Sequence, residues 1–255
     1  MVIRRVREHV TTHNWFAVGI DLAIVILGVF IGIQVSNWNQ ARIEAAKAQE
    51  YRARLLNEIE FNRLQYLQQL AYSRKVQAHA LAVLGKLRNP SAKGAAFVVD
   101  AYQATQTDIW PAKRFIYDEM VSAGMVATIG THRVQQLTSD FYLGVDAAGQ
   151  ALAQESPYRH LVRRLVPFAI QQRLRSECGD RLVAVDGQVV GIALAARCAP
   201  NIPPDLLAAG IAQLNNQPDL EQELNGHLAL LEQKIGLLRL TIRQAEEALA
   251  GLRND

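Results

Sequence analysis

The pattern of apolar and polar positions divides the chain into two unequal parts. From Trp15 to Trp38 (WFAVGIDLAIVILGVFIGIQVSNW) apolar residues crowd together, and Leu22 to Ile33 is uninterrupted. About 24 residues at ~1.5 Å rise per residue make a rod of roughly 35 Å, enough to cross a ~30 Å hydrocarbon core with some tilt. Trp15 and Trp38 close the run at its two ends, where amphipathic indole rings favour the headgroup level. The run predicts a transmembrane helix over 15–38.

Beyond it the pattern becomes periodic. The chain after Trp38 has no Pro until Pro90 and no Gly until Gly85, and its Ala-, Glu- and Arg-rich sequence favours helix. One helix is therefore expected to continue from the span to about Arg88. Leu55, Ile59, Tyr66, Leu70, Leu81 and Leu84 mark an apolar face, which Asn62, Ser73 and Gln77 interrupt. Such a face needs a partner but is not a clean zipper.

Asn89-Pro90-Ser91 ends that helix, and Ala95 to Thr105 reads as another. Pro111 suits the first turn of the next, with Phe115, Ile116 and Met120 inward and Gly124 as a left-handed C-cap. Thr131 reads as an N-cap opening a helix with Val134, Leu137, Phe141 and Val145 inward. The one β signal is RLVAVDGQVVGIAL, where Asp186-Gly187 between β-branched runs predicts a type I′ hairpin over about 181–195. Pro203-Pro204 starts a short helix, and Pro218-Asp219 starts a long one over about 219–252. In the latter, Leu228, Leu231, Ile235, Leu238, Ile242, Ala245, Leu249 and Leu252 alternate spacings of three and four. This face either zips to a sister chain or folds back antiparallel on the helix after Trp38. We adopt the fold-back, which covers both faces within one chain.

The expected fold is thus mainly α. A basic amphipathic segment (1–14) precedes a transmembrane helix (15–38), whose extension joins an antiparallel bundle with one small β-hairpin in a soluble domain (39–255).

Within the span, Asp21, Val25, Gly28, Gly32, Val35 and Asn39 alternate spacings of four and three and so share one helical stripe. Gly28 and Gly32 form a GxxxG pair that lets a second helix approach closely. A carboxylate at the centre of an inserted helix costs ~2.5 to 3.5 kcal/mol, and less toward the interface. Asp21 is thus either the polar element of a helix-helix seam or a group drawing water from the near interface. The seam implies a homo-oligomer or a partner membrane protein.

The run GVFIGIQVSNWNQAR followed by LLNEIEFN, and later YDEMVSAGMVATIGTHRVQQLTSDFY, resembles an uncharacterised bacterial family of single-pass membrane proteins. The resemblance covers about a third of the chain and implies the anchored helical architecture. It implies no activity.

Composition adds little beyond exclusions. The chain is 50% hydrophobic and 20% charged, with net charge +3 and mean hydropathy +0.01, an ordinary soluble balance once the span is set aside. That charge is far from a nucleic-acid binder's, and the most basic soluble segment, 156–175, does not interleave aromatics with its arginines in a nucleic-acid-binding pattern, so no nucleic-acid partner is expected. Arg4, Arg5 and Arg7 precede the span, and Arg159, Arg163 and Arg164 mark a basic stretch around Pro167. Each cluster reads as a candidate contact to an anionic surface or as an ordinary solvated face. A signal peptide also begins with a basic segment and an apolar run. No small-x-small pair follows the run closely, the nearest being Ala46 and Ala48, and an uncleaved anchor is expected.

Asp118 and Glu119 are neighbours about 100° apart on a helix and read as surface charges rather than an acid-base pair. No phosphate loop, HExxH, GxSxG or Cys/His set occurs, so the reading is not an enzyme, with no metal and no cofactor. Cys178 and Cys198 bracket the hairpin and stand near its open end, where a disulfide, two buried thiols or half a metal site all remain possible. Lys and Arg counts on the two sides of the span nearly balance. The clustered upstream arginines and the oxidising compartment that a disulfide requires favour a bacterial inner membrane protein with a cytoplasmic amino terminus and a periplasmic domain. The expected role is a membrane-anchored scaffold or interaction module, the alternative a sensor or accessory subunit of a membrane complex.

Overall fold

The computed structural model describes residues 15–89, 91 and 93–254. The chain divides into two compact units, 1–51 and 52–255. Helix α1 (Trp15–Leu87) runs through the boundary, as the lack of early breakers predicts. In the first unit the described residues form helix alone, and the most apolar 18-residue window has mean hydropathy 2.4 and is 0% buried among the described residues. One helix is thus long and apolar enough to cross a membrane.

The second unit is built on the remainder of α1. Then come α2 (Ala95–Gln103), α3 (Phe115–Ser122), α4 (His132–Ala153), α5 (Pro157–Leu165), α6 (Phe168–Cys178), the hairpin β1 (Arg181–Val185) and β2 (Gln188–Ala193), α7 (Pro204–Asn215) and α8 (Leu220–Asn254), with a short 3-10 turn at Val126–Thr128.

Helix α8 folds back on α1 as expected. Arg52 Nε donates to the Leu252 carbonyl at 2.9 Å, Gln77 Nε2 to Glu232 at 2.7 Å, and Arg88 pairs with Glu221 at 3.5 Å. The partner number falls as the α1 number rises, so the two run antiparallel. Helix α4 lies along α8 in the same antiparallel sense, with Gly251 beside Val134 and Leu137, and Gly144 beside Gln244. Leu231, Ile235, Leu238, Ile242, Ala245, Leu249 and Leu252 are all buried, which accounts for the regular apolar spacing within one chain.

A second apolar layer closes over the far half of α1. Tyr72, Val76, Ala80 and Val83 pack with Phe97, Val98 and Tyr102 of α2, Tyr158 and Val162 of α5, Ile170 and Leu174 of α6, and Leu214 and Leu224. Here the sequence reading needs correction. Leu81 is 53% exposed, because the buried stripe passes through Val76, Ala80 and Val83 instead.

Asn62 and Ser73, read as interruptions, are buried. Glu58, Asn62, Gln65 and Gln69 form a polar row at spacings of four, three and four, and the row holds the extended chain between α2 and α3. Asn62 Nδ2 donates to the Lys113 carbonyl at 2.6 Å, while the Lys113 amide donates to Asn62 Oδ1 at 2.8 Å. Gln65 donates to the Trp110 and Pro111 carbonyls, and Gln69 to that of Trp110. Glu58 accepts from the Ile116 and Tyr117 amides at 2.8 and 3.3 Å, capping α3 with a carboxylate where the helix dipole favours one. Pro111 therefore does not open α3; it lies in the extended chain, and α3 begins at Phe115 because Glu58 supplies the cap there. Phe115, expected inward, is 72% exposed.

The remaining terminators behave as the residues dictate. Gly124 takes φ +67° at the end of α3, Thr131 stands at the N-cap of α4, and Pro167 separates α5 from α6. Asp186 and Gly187 have φ of 49° and 78°, the positive pair that a type I′ turn requires. Cys178 and Cys198 form a disulfide at the open end of the hairpin, with Cα atoms 5.2 Å apart.

Replacing buried Asn62 by Ala removes both of its hydrogen bonds to the Lys113 backbone, each worth roughly 0.5–1.5 kcal/mol, and leaves a small cavity. Unfolding of the full chain in micelles should show Asn62→Ala destabilised by about 2–4 kcal/mol and Leu81→Ala within about 0.5 kcal/mol of wild type. The reverse order would restore the original assignment of the buried face.

Candidate functional site

Two places carry chemistry that the packing alone does not explain. The first is the stripe on the apolar part of α1. Asp21, Val25, Gly28, Gly32, Val35 and Asn39 all fall on one uninterrupted helix, and all are exposed. A Cβ added at Gly28 or Gly32 would meet nothing within 4 Å. Trp15 and Trp38 are 68% and 67% exposed at the two ends of the run. The stripe thus offers a smooth glycine surface with one carboxylate near its amino-terminal end.

The second is a polar hub around the carboxyl end of α2. That end has no basic residue of its own in its last turn, and its free carbonyls need donors. Helices α5 and α8 bring them. Arg159 donates to the Thr105 carbonyl. Arg163 reaches Thr105 Oγ1 at 2.7 Å, the Tyr102 hydroxyl at 2.9 Å and Gln106 at 3.1 Å. His227 Nε2 lies 2.7 Å from the Ala104 carbonyl, and its Nδ1 lies 2.7 Å from Ser156 Oγ. A carbonyl only accepts, so Nε2 carries the proton and Nδ1 accepts from the serine hydroxyl. Lys234, 7% exposed, donates to the Leu152 and Gln154 carbonyls at the end of α4.

The contact between Ser156 and His227 has the spacing of a nucleophile and its base, but its surroundings give it another use. Ser156 Oγ also accepts from the Arg159 amide as the N-cap of α5. His227 stacks on Tyr158 with ring centroids 5.0 Å apart, and burial pulls its pKa down to about 4, making it a weak base. The adjacent cavity, lined by Tyr72, Thr105, Asp108, Ser156, His227 and Lys234, has a volume of about 30 Å³, room for a water-sized occupant. The pair joins α8 to α2 and α5.

Asp108 is the other unusual group. It is 6% exposed, neither carboxylate oxygen has a hydrogen-bond partner, and burial together with repulsion from Asp180 pushes its pKa up to about 7. Asp180 accepts from the Tyr72 hydroxyl at 3.0 Å, and burial raises its own pKa as well.

Of the residues singled out in the sequence, Cys178 and Cys198 are brought together. Arg159 and Arg163 are not an outward basic face. They turn inward because the Thr105 carbonyl takes Arg159 and the Thr105 and Tyr102 hydroxyls take Arg163, and only Arg164 of that set is exposed. Arg4, Arg5 and Arg7 lie outside the described residues. Asp118 pairs with Arg114 at 3.1 Å and Glu119 with Arg54 at 2.9 Å, both at the surface. Asp108, Ser156, His227 and Lys234 were not anticipated. Among the described residues no cluster of three or more His, Cys, Asp or Glu side chains is arranged to hold a metal ion. No family model matches the chain, and no curated protein or solved structure matches it either.

The two perturbed groups act oppositely on stability. The folded state holds the Asp108 proton up to about pH 7, whereas an unfolded Asp releases it near 3.9, so this contribution is lost as pH rises between those values. His227 stays neutral down to about pH 4 while an unfolded His protonates near 6.5, so its contribution is lost as pH falls through that window. Relative to wild type in metal-free buffer, Asp108→Asn should gain stability as pH is raised from 4 to 7. His227→Gln, a neutral side chain able to keep both hydrogen bonds, should gain as pH is lowered from 6.5 to 4. Each gain should be on the order of 3 kcal/mol by ~1.36 kcal/mol per pKa unit. Flat differences in urea titrations across pH would contradict this assignment.

Proposed function

We propose that this chain is a single-pass, membrane-anchored helical interaction module. Its amino terminus lies in the cytoplasm of a bacterial cell and its 52–255 unit lies in the periplasm, held at the inner membrane. The observation that carries the reading is an apolar stretch between Trp15 and Trp38 whose most apolar window is 0% buried among the described residues and that bears one continuous stripe of Asp21, Gly28 and Gly32. The Cys178–Cys198 disulfide supports the periplasmic side, since such bonds persist in oxidising compartments. The resemblance to a family of single-pass membrane proteins agrees with it.

In this reading the module works by association rather than by catalysis, and the stripe is the surface through which it meets a second copy or a partner membrane protein. GxxxG packing brings two backbones close enough for dispersion contacts in lipid, where no hydrophobic drive exists between helices. A second reading follows from Asp21 alone: an accessory or sensor subunit in which that carboxylate pairs with a cation of a partner helix, as intramembrane charges commonly do.

An alkaline phosphatase fusion after Asp255 should be active, and Cys178 and Cys198 should label with a thiol reagent only after reduction. A silent fusion or freely labelled thiols would reverse the topology. In-membrane cross-linking separates the two readings. Gly28→Leu with Gly32→Leu should reduce self-association severalfold, whereas Asp21→Asn abolishing recovery of a different protein would favour the accessory subunit. Association unchanged in both variants would remove the stripe from the account.

A further inference from the structure

The hairpin rests lightly on the bundle. Of residues 181–193 only Val190 and Gly191 are buried, and every residue of β1 except Val183 is exposed. The strands slip register beside them: Val183 faces Gly191 and Ala184 faces Val189, which leaves Val190 in a bulge that re-aims its side chain. Gln68 Nε2 fastens the body of the hairpin to α1 by donating to the Ile192 carbonyl at 2.7 Å. Its base is fixed covalently by the Cys178–Cys198 disulfide and by Tyr72, whose hydroxyl donates to Asp180 at 3.0 Å.

Asp108 lies under Gly191. A Cβ added at that glycine would stand 3.8 Å from Asp108 Oδ2, and both carboxylate oxygens are buried without a hydrogen-bond partner among the described residues. The charged and titratable groups around it come from several elements, and each is engaged elsewhere. Tyr72 of α1 holds Asp180. Arg159 of α5 holds the Thr105 carbonyl and Glu155, and Arg163 of the same helix holds the Thr105 and Tyr102 hydroxyls. On α8, His227 is bonded at both nitrogens and Lys234 donates to the Leu152 and Gln154 carbonyls. Asp180, at the foot of the hairpin, repels Asp108. A neutral carboxyl can stay in this place, whereas an ionised one is buried without a paired counter-charge. Lifting the hairpin lets water reach it at the loss of little buried surface, chiefly that of Val190.

We propose that the hairpin is a proton-gated flap, closed on α1 while Asp108 is neutral and lifted when Asp108 ionises, with the disulfide as the tether at its base. Proton linkage sets the direction. The closed form keeps the Asp108 proton up to about pH 7, while a carboxyl reached by water releases it near 3.9. Opening therefore becomes up to about tenfold more favourable per pH unit between those values, and levels off above pH ~8. Asp180 moves with the flap, and burial raises its pKa too, which adds in the same direction. Burial keeps His227 neutral above about pH 4 and raises the Tyr72 hydroxyl, so neither changes charge in this range. A lifted flap adds Val190 to the already exposed Leu182, Val185 and Val189, enlarging the apolar surface that the hairpin presents as pH rises. The device lies within the 52–255 unit and does not depend on the anchored reading.

Thiol labelling of the full chain in micelles tests this, without reductant so that the native disulfide stays closed. The rate at Val190→Cys is divided by that at Gln188→Cys, an exposed position on the same strand, which removes the pH dependence of the thiol itself. The ratio should rise by about tenfold or more from pH 5 to 7 and level off by pH 8. In the Asp108→Asn background it should stay low and flat. Asp180→Asn keeps an acceptor for Tyr72 and removes the repulsion, so it should shrink the rise and end it at lower pH; it decides the matter if Asp108→Asn fails to fold. A ratio that does not change with pH, or a rise that survives both substitutions in full, would overturn the proposal. Ala148→Cys, buried in α4, should stay unlabelled throughout. Labelling there in step with Val190→Cys would mean that the whole unit unfolds, and would overturn it equally.

Discussion

Buried backbone must find hydrogen-bond partners, and in this protein that constraint falls most heavily on the extended chain between Thr105 and Arg114. Among the described residues no strand pairs with it. Helix α1 supplies the missing partners through side chains, with Asn62 accepting from and donating to the Lys113 peptide, and Gln65 and Gln69 holding Trp110. Glu58 continues the row into the first turn of α3 and takes the Tyr142 hydroxyl of α4 as well. One polar row on one helix thereby fixes where α3 begins, how α4 sits and where Asp108 is placed.

The same logic governs the carboxyl end of α2, where that chain begins. Just past the helix, Arg159 and His227 arrive from α5 and α8 to donate to the Thr105 and Ala104 carbonyls, and Arg163 donates to the Thr105 hydroxyl oxygen. Favourable charge at a helix carboxyl terminus adds to the hydrogen bonds themselves. The apolar layers supply most of the burial, but these polar contacts select which of many similar helical packings forms. Buried polar groups that are fully paired rigidify an arrangement, while those left open weaken it. Asp108 and Gln69 Oε1 belong to the second kind.

Much of this architecture was legible in the sequence because it rests on local signals. The apolar run, the late breakers in α1, Asp186-Gly187, Gly124, Pro167 and the regular leucines of α8 each dictate structure through their immediate neighbours. The hairpin register placed the two cysteines near each other and left their pairing open, which the structure shows as a disulfide. What escaped were contacts between segments far apart in sequence. Asn62 was read as a flaw in an apolar face because its partner, the Lys113 peptide, lies 51 residues away. Pro111 was placed in a helix because the cap that starts α3 comes from Glu58 rather than from the residues before it. Arg159 and Arg163 were turned outward because nothing nearby in sequence reveals the acceptors they meet, more than fifty residues away. One signal was available: Glu58, Asn62, Gln65 and Gln69 repeat at helical spacing, so the polar residues of α1 formed a face as regular as the apolar one.

The central claim is that the chain after α2 is held as firmly as regular structure by side chains of α1. Amide hydrogen exchange on the full chain tests it most directly. The amides of Lys113, Ile116 and Tyr117 should exchange as slowly as those in the buried middle of α4, although Lys113 lies in no helix or strand. Exchange of these three at the rate of an exposed loop, with α4 still protected, would contradict the account.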